Sequence, residues 1–137
     1  MDLGRIDALF QQRREGHTLP QGLYTDPDSF DFDMAAIYGQ SWLMAGLECE
    51  LPKAGSYLSM MVGKWPVIIT RDRQGEIRAF HNSCRHRGNR LLWAEEGAGD
   101  FKCTYHGWTY GVDGVLKQAQ DPEDFPGGNP CGRVSLV

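Results

Sequence analysis

Cys84-Arg85-His86-Arg87-Gly88 and Cys103-Thr104-Tyr105-His106-Gly107-Trp108 are the two stretches whose reading decides the fold. Each offers one thiolate and one imidazole, as Cys-x-His and then Cys-x-x-His, with sixteen residues between His86 and Cys103. A [2Fe–2S] cluster with two Cys on one iron and two His on the other needs that donor set. Each loop must then reach both irons, so each carries one ligand of each kind. The expected ligands are Cys84, His86, Cys103 and His106, and no catalytic residue is assigned.

The competing reading is a Cys2His2 zinc site. The usual finger orders its ligands as two Cys and then two His. Here Cys and His alternate, which zinc does not require and a binuclear cluster does. Buried thiols beside incidental histidines would leave unexplained why three of the four His lie near these Cys. Cys49 and Cys131 are left over and read as free thiols without a role.

The 137 residues are one small domain's worth. A formal net charge of −4 gives no footing for nucleic acid or an anionic membrane surface. No apolar run reaches membrane-spanning length, and Met1 to Gly16 is charged and mixed, unlike a signal segment. A cytoplasmic chain is expected, in which Cys residues bind metal more readily than they form disulfides.

Outward from the two loops, residues 1–41 read as a helical segment and 42–137 as the cluster domain. Ile6, Leu9 and Phe10 form a one-sided apolar set, stopped by Gly16. A second helix has Asp26 as cap, Pro27 in its first turn and Asp28 at its positive end. Phe30, Met34 and Ile37 line one face, and Trp42 is expected to pack behind it. Trp42 to Leu47, Ser56 to Val62, Pro66 to Thr70 and Ile77 to Phe80 read as short strands separated by turn residues. Val112 to Val115 reads as a tight hairpin turn, and Asp121 to Pro130 as loop. Arg133 to Val137 reads as the start of a strand without a partner. The fold class is mainly β, a small antiparallel sandwich with a helical lead-in. Each ligand pair falls in a loop just after a strand. Gly88 and Gly107 allow close backbone approach, so that backbone N–H groups can donate to the sulfurs.

Phe80-His81-Asn82-Ser83-Cys84-Arg85-His86-Arg87-Gly88 and Cys103-Thr104-Tyr105-His106-Gly107-Trp108-Thr109-Tyr110 resemble the α subunits of Rieske non-haem iron oxygenases, as do Tyr24 to Pro27 and Trp42 to Gly55. The resemblance implies an N-terminal Rieske [2Fe–2S] domain, with Arg87, Gly88, Tyr105, Gly107 and Trp108 surrounding the ligands. Respiratory Rieske proteins carry an extra Cys in each loop, where this chain has Asn89 and Tyr105, so no such disulfide can form. They carry a Ser hydroxyl donor where Trp108 stands. Its loss implies a low potential, roughly −150 to 0 mV.

The resemblance further implies an electron donor, a reductase or ferredoxin drawing on NAD(P)H. It implies a mononuclear Fe(II) site in a full-length parent, which hydroxylates an aromatic or quaternary-ammonium substrate with O2. A ring trimer of that parent is implied as well. The residues here hold no such second site, since His17 and His81 are unpaired. The chain is therefore expected to be a fragment, an isolated domain or a truncated product, inactive in turnover. A free-standing Rieske ferredoxin is the alternative, against which the forty-residue helical lead-in argues. Arg85 and Arg90 read equally as a docking surface for an acidic partner or as solvated charges, and Arg87 as structural. Trp42, Trp65, Trp93 and Trp108 read as strand core and cluster shielding rather than a cation cage.

Overall fold

The computed structural model describes residues 2–137, which form two compact units, one up to residue 45 and one over 46–137. In the first, α1 (Leu3–Phe10) is capped by Asp2, which accepts from the Arg5 N–H. A short α2 (Gly22–Thr25) follows, then α3 (Pro27–Ala36). Asp26 caps α3 by accepting from the Asp28 N–H at 3.0 Å, and its carboxylate also pairs with Arg5 at 2.6 Å. The cap with Pro27 behind it satisfies a backbone donor that the first turn would leave orphaned. The expected apolar face of α3 is not buried: Phe30 and Ile37 are exposed, as is Trp42. Trp42 therefore does not pack behind the helix.

The second unit is all antiparallel. β1 (Ser56–Val62), β2 (Trp65–Arg71), β3 (Ile77–His81) and β4 (Glu96–Ala98) make a sheet in the order β3-β2-β1-β4. β5 (Phe101–Lys102), β6 (Thr109–Tyr110) and β7 (Leu116–Gln118) make a second sheet in that order. Val62 pairs with Trp65 across a two-residue turn, and Gly63 at φ +59° supplies the backbone this hairpin needs. β2 turns into β3 through Asp72. Its carboxylate accepts from the N–H groups of Gln74 and Glu76, both at 2.9 Å, and from Arg78 at 2.5 Å. Those partners offset the desolvation of a carboxylate that is 0 % exposed.

Residues 42–47 form no strand, contrary to expectation. The run is apolar, but no neighbouring strand offers it a ladder. Arg133 to Val137 is not unpartnered either. Ser135 bridges to Val115, Leu136 N–H donates to Gly114 O, and His81 N–H donates to Val137 O. Leu136 is buried there. The core joins Ile68, Leu91, Phe101, Trp108, Tyr110, Val112, Leu116 and Leu136. Each large apolar side chain so buried contributes roughly 1.5–3 kcal/mol. The Asp121–Pro130 segment holds one short 3-10 turn, Pro122–Asp124, and directs Phe125 toward this core.

Candidate metal centre

Both motifs leave a strand and enter a loop, the first after β3 and the second after β5. The two loops share one backbone frame. In the first, Cys84 N–H donates to Asn89 O at 2.8 Å, and Gly88 N–H to Cys84 O at 2.8 Å. In the second, Cys103 N–H donates to Trp108 O at 2.8 Å, and Gly107 N–H to Cys103 O at 3.0 Å. Gly88 and Gly107 both have φ +71°. A side chain at that φ is disfavoured, so each Gly permits its turn to close. The glycine N–H groups thus bond carbonyls, and the backbone donor expected at a cysteine sulfur comes from another residue. The N–H directed at the Cys84 sulfur is that of His86.

Within this common frame His86 is two residues after its Cys and His106 three after its own. Side chains that alternate along the sequence are sorted in space. The His86 and His106 rings lie 4.7 Å apart between centroids. The Cys84 and Cys103 thiols are near enough to hydrogen-bond. Like side chains therefore pair across the loops, Cys with Cys and His with His.

Cys84 and Cys103 are 3 % and 2 % exposed. Burial and the neighbouring Cys103 push the Cys84 thiol up, while the Tyr110 hydroxyl and the His86 N–H favour its thiolate. Burial, then the neighbouring charges of His106 and Arg87, hold His86 below its usual value. A neutral imidazole is the form that binds metal. His106 Nδ1 is buried and has no hydrogen-bond partner in the structure. Such a nitrogen is costly unless something is bonded to it. Buried thiols, a neutral imidazole and an orphaned ring nitrogen fit a cationic cluster held between the loop tips. Among the described residues no three His, Cys, Asp or Glu side chains are placed to hold one metal ion, as tetrahedral zinc would require.

The surroundings are partly those expected. Trp108 is buried and stacks on His86, with 4.9 Å between centroids and planes 9° apart. Phe125 stands edge-on to both rings. Tyr105 lies 3.8 Å from His106 between centroids but is itself exposed. Arg87 is exposed rather than packed, and acts on His86 through its charge. Trp93 is exposed too, with Arg90 stacked 5.0 Å from its ring, so it is neither core nor shielding. His17 sits exposed between α1 and α2, and His81 exposed at the end of β3.

Three residues make contacts at the loops that the sequence did not assign. Asn82 is fully buried and spends its amide on both ends of the first loop. Its oxygen accepts from the Leu91 and Leu92 N–H groups, both at 2.9 Å, and its nitrogen donates to Leu92 O and Ser59 Oγ. Tyr110, 0 % exposed, places its hydroxyl on Cys84. Asn89 reaches Cys103. The signal available for Asn82 was its place two residues before Cys84, and for Tyr110 the β-prone Thr109-Tyr110 pair after the second loop.

Residues 41–127 match the model of the Rieske [2Fe-2S] domain family. The chain is 45 % identical over 120 residues to the glycine betaine monooxygenase oxygenase subunit of Chromohalobacter salexigens, covering 85 % of this chain and 27 % of that protein. It is 42 % identical over 122 residues to the biphenyl 2,3-dioxygenase subunit alpha of Rhodococcus jostii, covering 88 % and 26 %. The naphthalene 1,2-dioxygenase structure from Rhodococcus sp. superposes with a TM-score of 0.77 at 33 % identity, over 87 % of this chain and 27 % of that one. The quaternary ammonium Rieske monooxygenase CntA superposes with a TM-score of 0.75 at 31 % identity, over 88 % and 34 %. The chain thus spans about a quarter of the length of the curated relatives it matches. It belongs to the Rieske [2Fe–2S] domain family, in the form carried by oxygenase α subunits.

Proposed function

We propose that Cys84 and Cys103 hold one iron, and His86 and His106 the other, of a Rieske [2Fe–2S] cluster, and that the domain relays electrons within an oxygenase α subunit. The observation carrying this reading is the pairing of like side chains across two loops whose sequences alternate. Bound there, such a cluster supplies one-electron transfer at a potential set by its ligands and their hydrogen bonds. The chain's own residues set its surroundings. Tyr110 donates to the Cys84 sulfur, Trp108 and Phe125 keep one side of His86 dry, and Tyr105 leaves the His106 side near solvent.

The electron donor is a reductase or ferredoxin, itself drawing on NAD(P)H. The acceptor is a mononuclear Fe(II) site in a full-length parent, which assembles as a ring trimer and works in the cytoplasm. The relatives support a parent that hydroxylates either a quaternary ammonium compound or an aromatic ring with O2. They also weigh against a free-standing ferredoxin, because they are oxygenase subunits. Among the described residues no helix is long and apolar enough to cross a membrane.

The test is iron and acid-labile sulfide analysis of the chain reconstituted without oxygen, followed by an oxygen-uptake assay. The reading expects iron and sulfide in about equal amounts, reduction by dithionite, and no substrate-dependent oxygen uptake. Zinc without sulfide, or oxygen uptake matched by product from this chain alone, refutes it.

A further inference from the structure

The residue five positions after each Cys closes its own loop through its backbone and reaches the other loop through its side chain. In the second loop this residue is Trp108. Its carbonyl accepts from Cys103 N–H, and its indole stacks on His86 of the first loop. In the first loop it is Asn89. Its carbonyl accepts from Cys84 N–H at 2.8 Å. Its amide nitrogen has two hydrogens: one is donated to Arg90 O at 2.9 Å, and the other points at the Cys103 sulfur, 3.8 Å away. Asn89 is thus bonded to one Cys by its backbone and to the other by its side chain. The bond to Arg90 O fixes the amide plane, so the second N–H is aimed rather than free.

The two sulfurs are then served crosswise. Cys84 of the first loop faces the Tyr110 hydroxyl, which follows the second loop. Cys103 of the second loop faces the Asn89 amide, which ends the first. On the ligand assignment proposed above, we propose that Asn89 is a positioning residue for the cluster. It donates to the Cys103 thiolate across the loops, ties them together and raises the cluster's potential. A donor to a ligand sulfur draws charge from it, and the reduced cluster, carrying one more electron, gains more from that than the oxidised one. Asn89 touches no substrate and transfers no proton.

The test uses the reconstituted chain with Asn89→Ala and with the isosteric Asn89→Asp, read by protein-film voltammetry and by thermal melting of the oxidised form. Asn89→Ala is expected to disfavour reduction roughly tenfold, a fall of about 59 mV for one electron. Asn89→Asp keeps the shape but presents oxygen to the sulfur, and is expected to fall at least as far. A merely structural Asn89 would lower the melting temperature and leave the potential of both variants at the wild-type value, which overturns the proposal. Should neither variant hold a cluster, electron-nuclear double resonance on reduced wild type, labelled with 15N in asparagine side chains, decides. An amide nitrogen coupled to the cluster is expected, and its absence overturns the proposal. Wild type that binds no [2Fe–2S] cluster overturns the functional reading instead, so the two failures are told apart.

Discussion

The hydroxyl of Tyr110 lies 3.3 Å from the sulfur of Cys84 and accepts the Arg85 backbone N–H at 3.0 Å. With its acceptor side occupied, its one hydrogen is left for the sulfur. Burial, then the bond to Cys84, push the Tyr110 pKa far above its ordinary value, so the phenol stays protonated. Hydrogen bonds to charged groups are worth about 1.5–3 kcal/mol, more for the more negative partner. Tyr110→Phe should therefore lower the midpoint potential by roughly 60 mV, a tenfold shift against reduction. Voltammetry measures it, and an unchanged potential contradicts the assigned donor.

Asn82 holds the two ends of the first loop to each other and to β1. Asn82→Leu should destabilise the fold by about 2–4 kcal/mol, because buried partners at Leu91, Leu92 and Ser59 lose their bonds at once. Urea unfolding of the oxidised protein checks it. The first loop should also release iron faster than in wild type, followed by bleaching in the presence of a chelator. A loss under about 0.5 kcal/mol, typical of a surface site, would show that the loop is held by other means.

Stability should depend on pH through Asp72. The bond from the Arg78 guanidinium, with the Glu76 and Gln74 N–H groups behind it, holds this carboxyl below its ordinary value despite burial. A depressed folded pKa contributes stability above the unfolded value, and the contribution disappears as pH falls through the folded one. Asp72→Asn should thus be less stable than wild type at pH 7, with the gap closing below about pH 4. Denaturation midpoints at both pH values test it. An equal gap at both would assign the effect to shape rather than charge.

Gly114 is held at φ +81°, and a Cβ there would sit 2.6 Å from the Phe80 ring. The hairpin turn and β3 therefore touch at a place where only hydrogen fits. Gly114→Ala should cost on the order of 1–3 kcal/mol from backbone strain and overpacking together. A thermal melt equal to wild type would mean that Phe80 moves aside freely.

How far the sequence could be read follows from the range of each signal. β1, β2 and β3 are five to seven residues long and bounded by Gly63 and Gly75, so alternation and turn chemistry mark them. β4 to β7 are two or three residues each, too short for any period. Residues 42–47 were read as strand because apolarity is local, whereas a ladder needs a neighbour. Phe30 was read by spacing as part of an apolar helix face and Trp42 by residue type as packed behind it, although nothing in a one-dimensional pattern says which face is covered. Cys84, His86, Cys103 and His106 could be singled out as candidate ligands because their chemistry is written in short spacings. Asn82, Asn89 and Tyr110 were not, because their partners lie 10, 14 and 26 residues away. A backbone donor to sulfur was expected without a named residue, and only the folded backbone shows that the His86 N–H supplies one while the glycine N–H groups bond carbonyls.

On the proposed function, one imidazole from each loop holds the cluster. Pulsed electron paramagnetic resonance on the reduced chain, labelled with 15N in histidine only, tests it most directly. Two strongly coupled imidazole nitrogens are expected in wild type and one fewer in His86→Cys or His106→Cys. A paramagnetic cluster with no coupled histidine nitrogen, or couplings untouched by both substitutions, would contradict it.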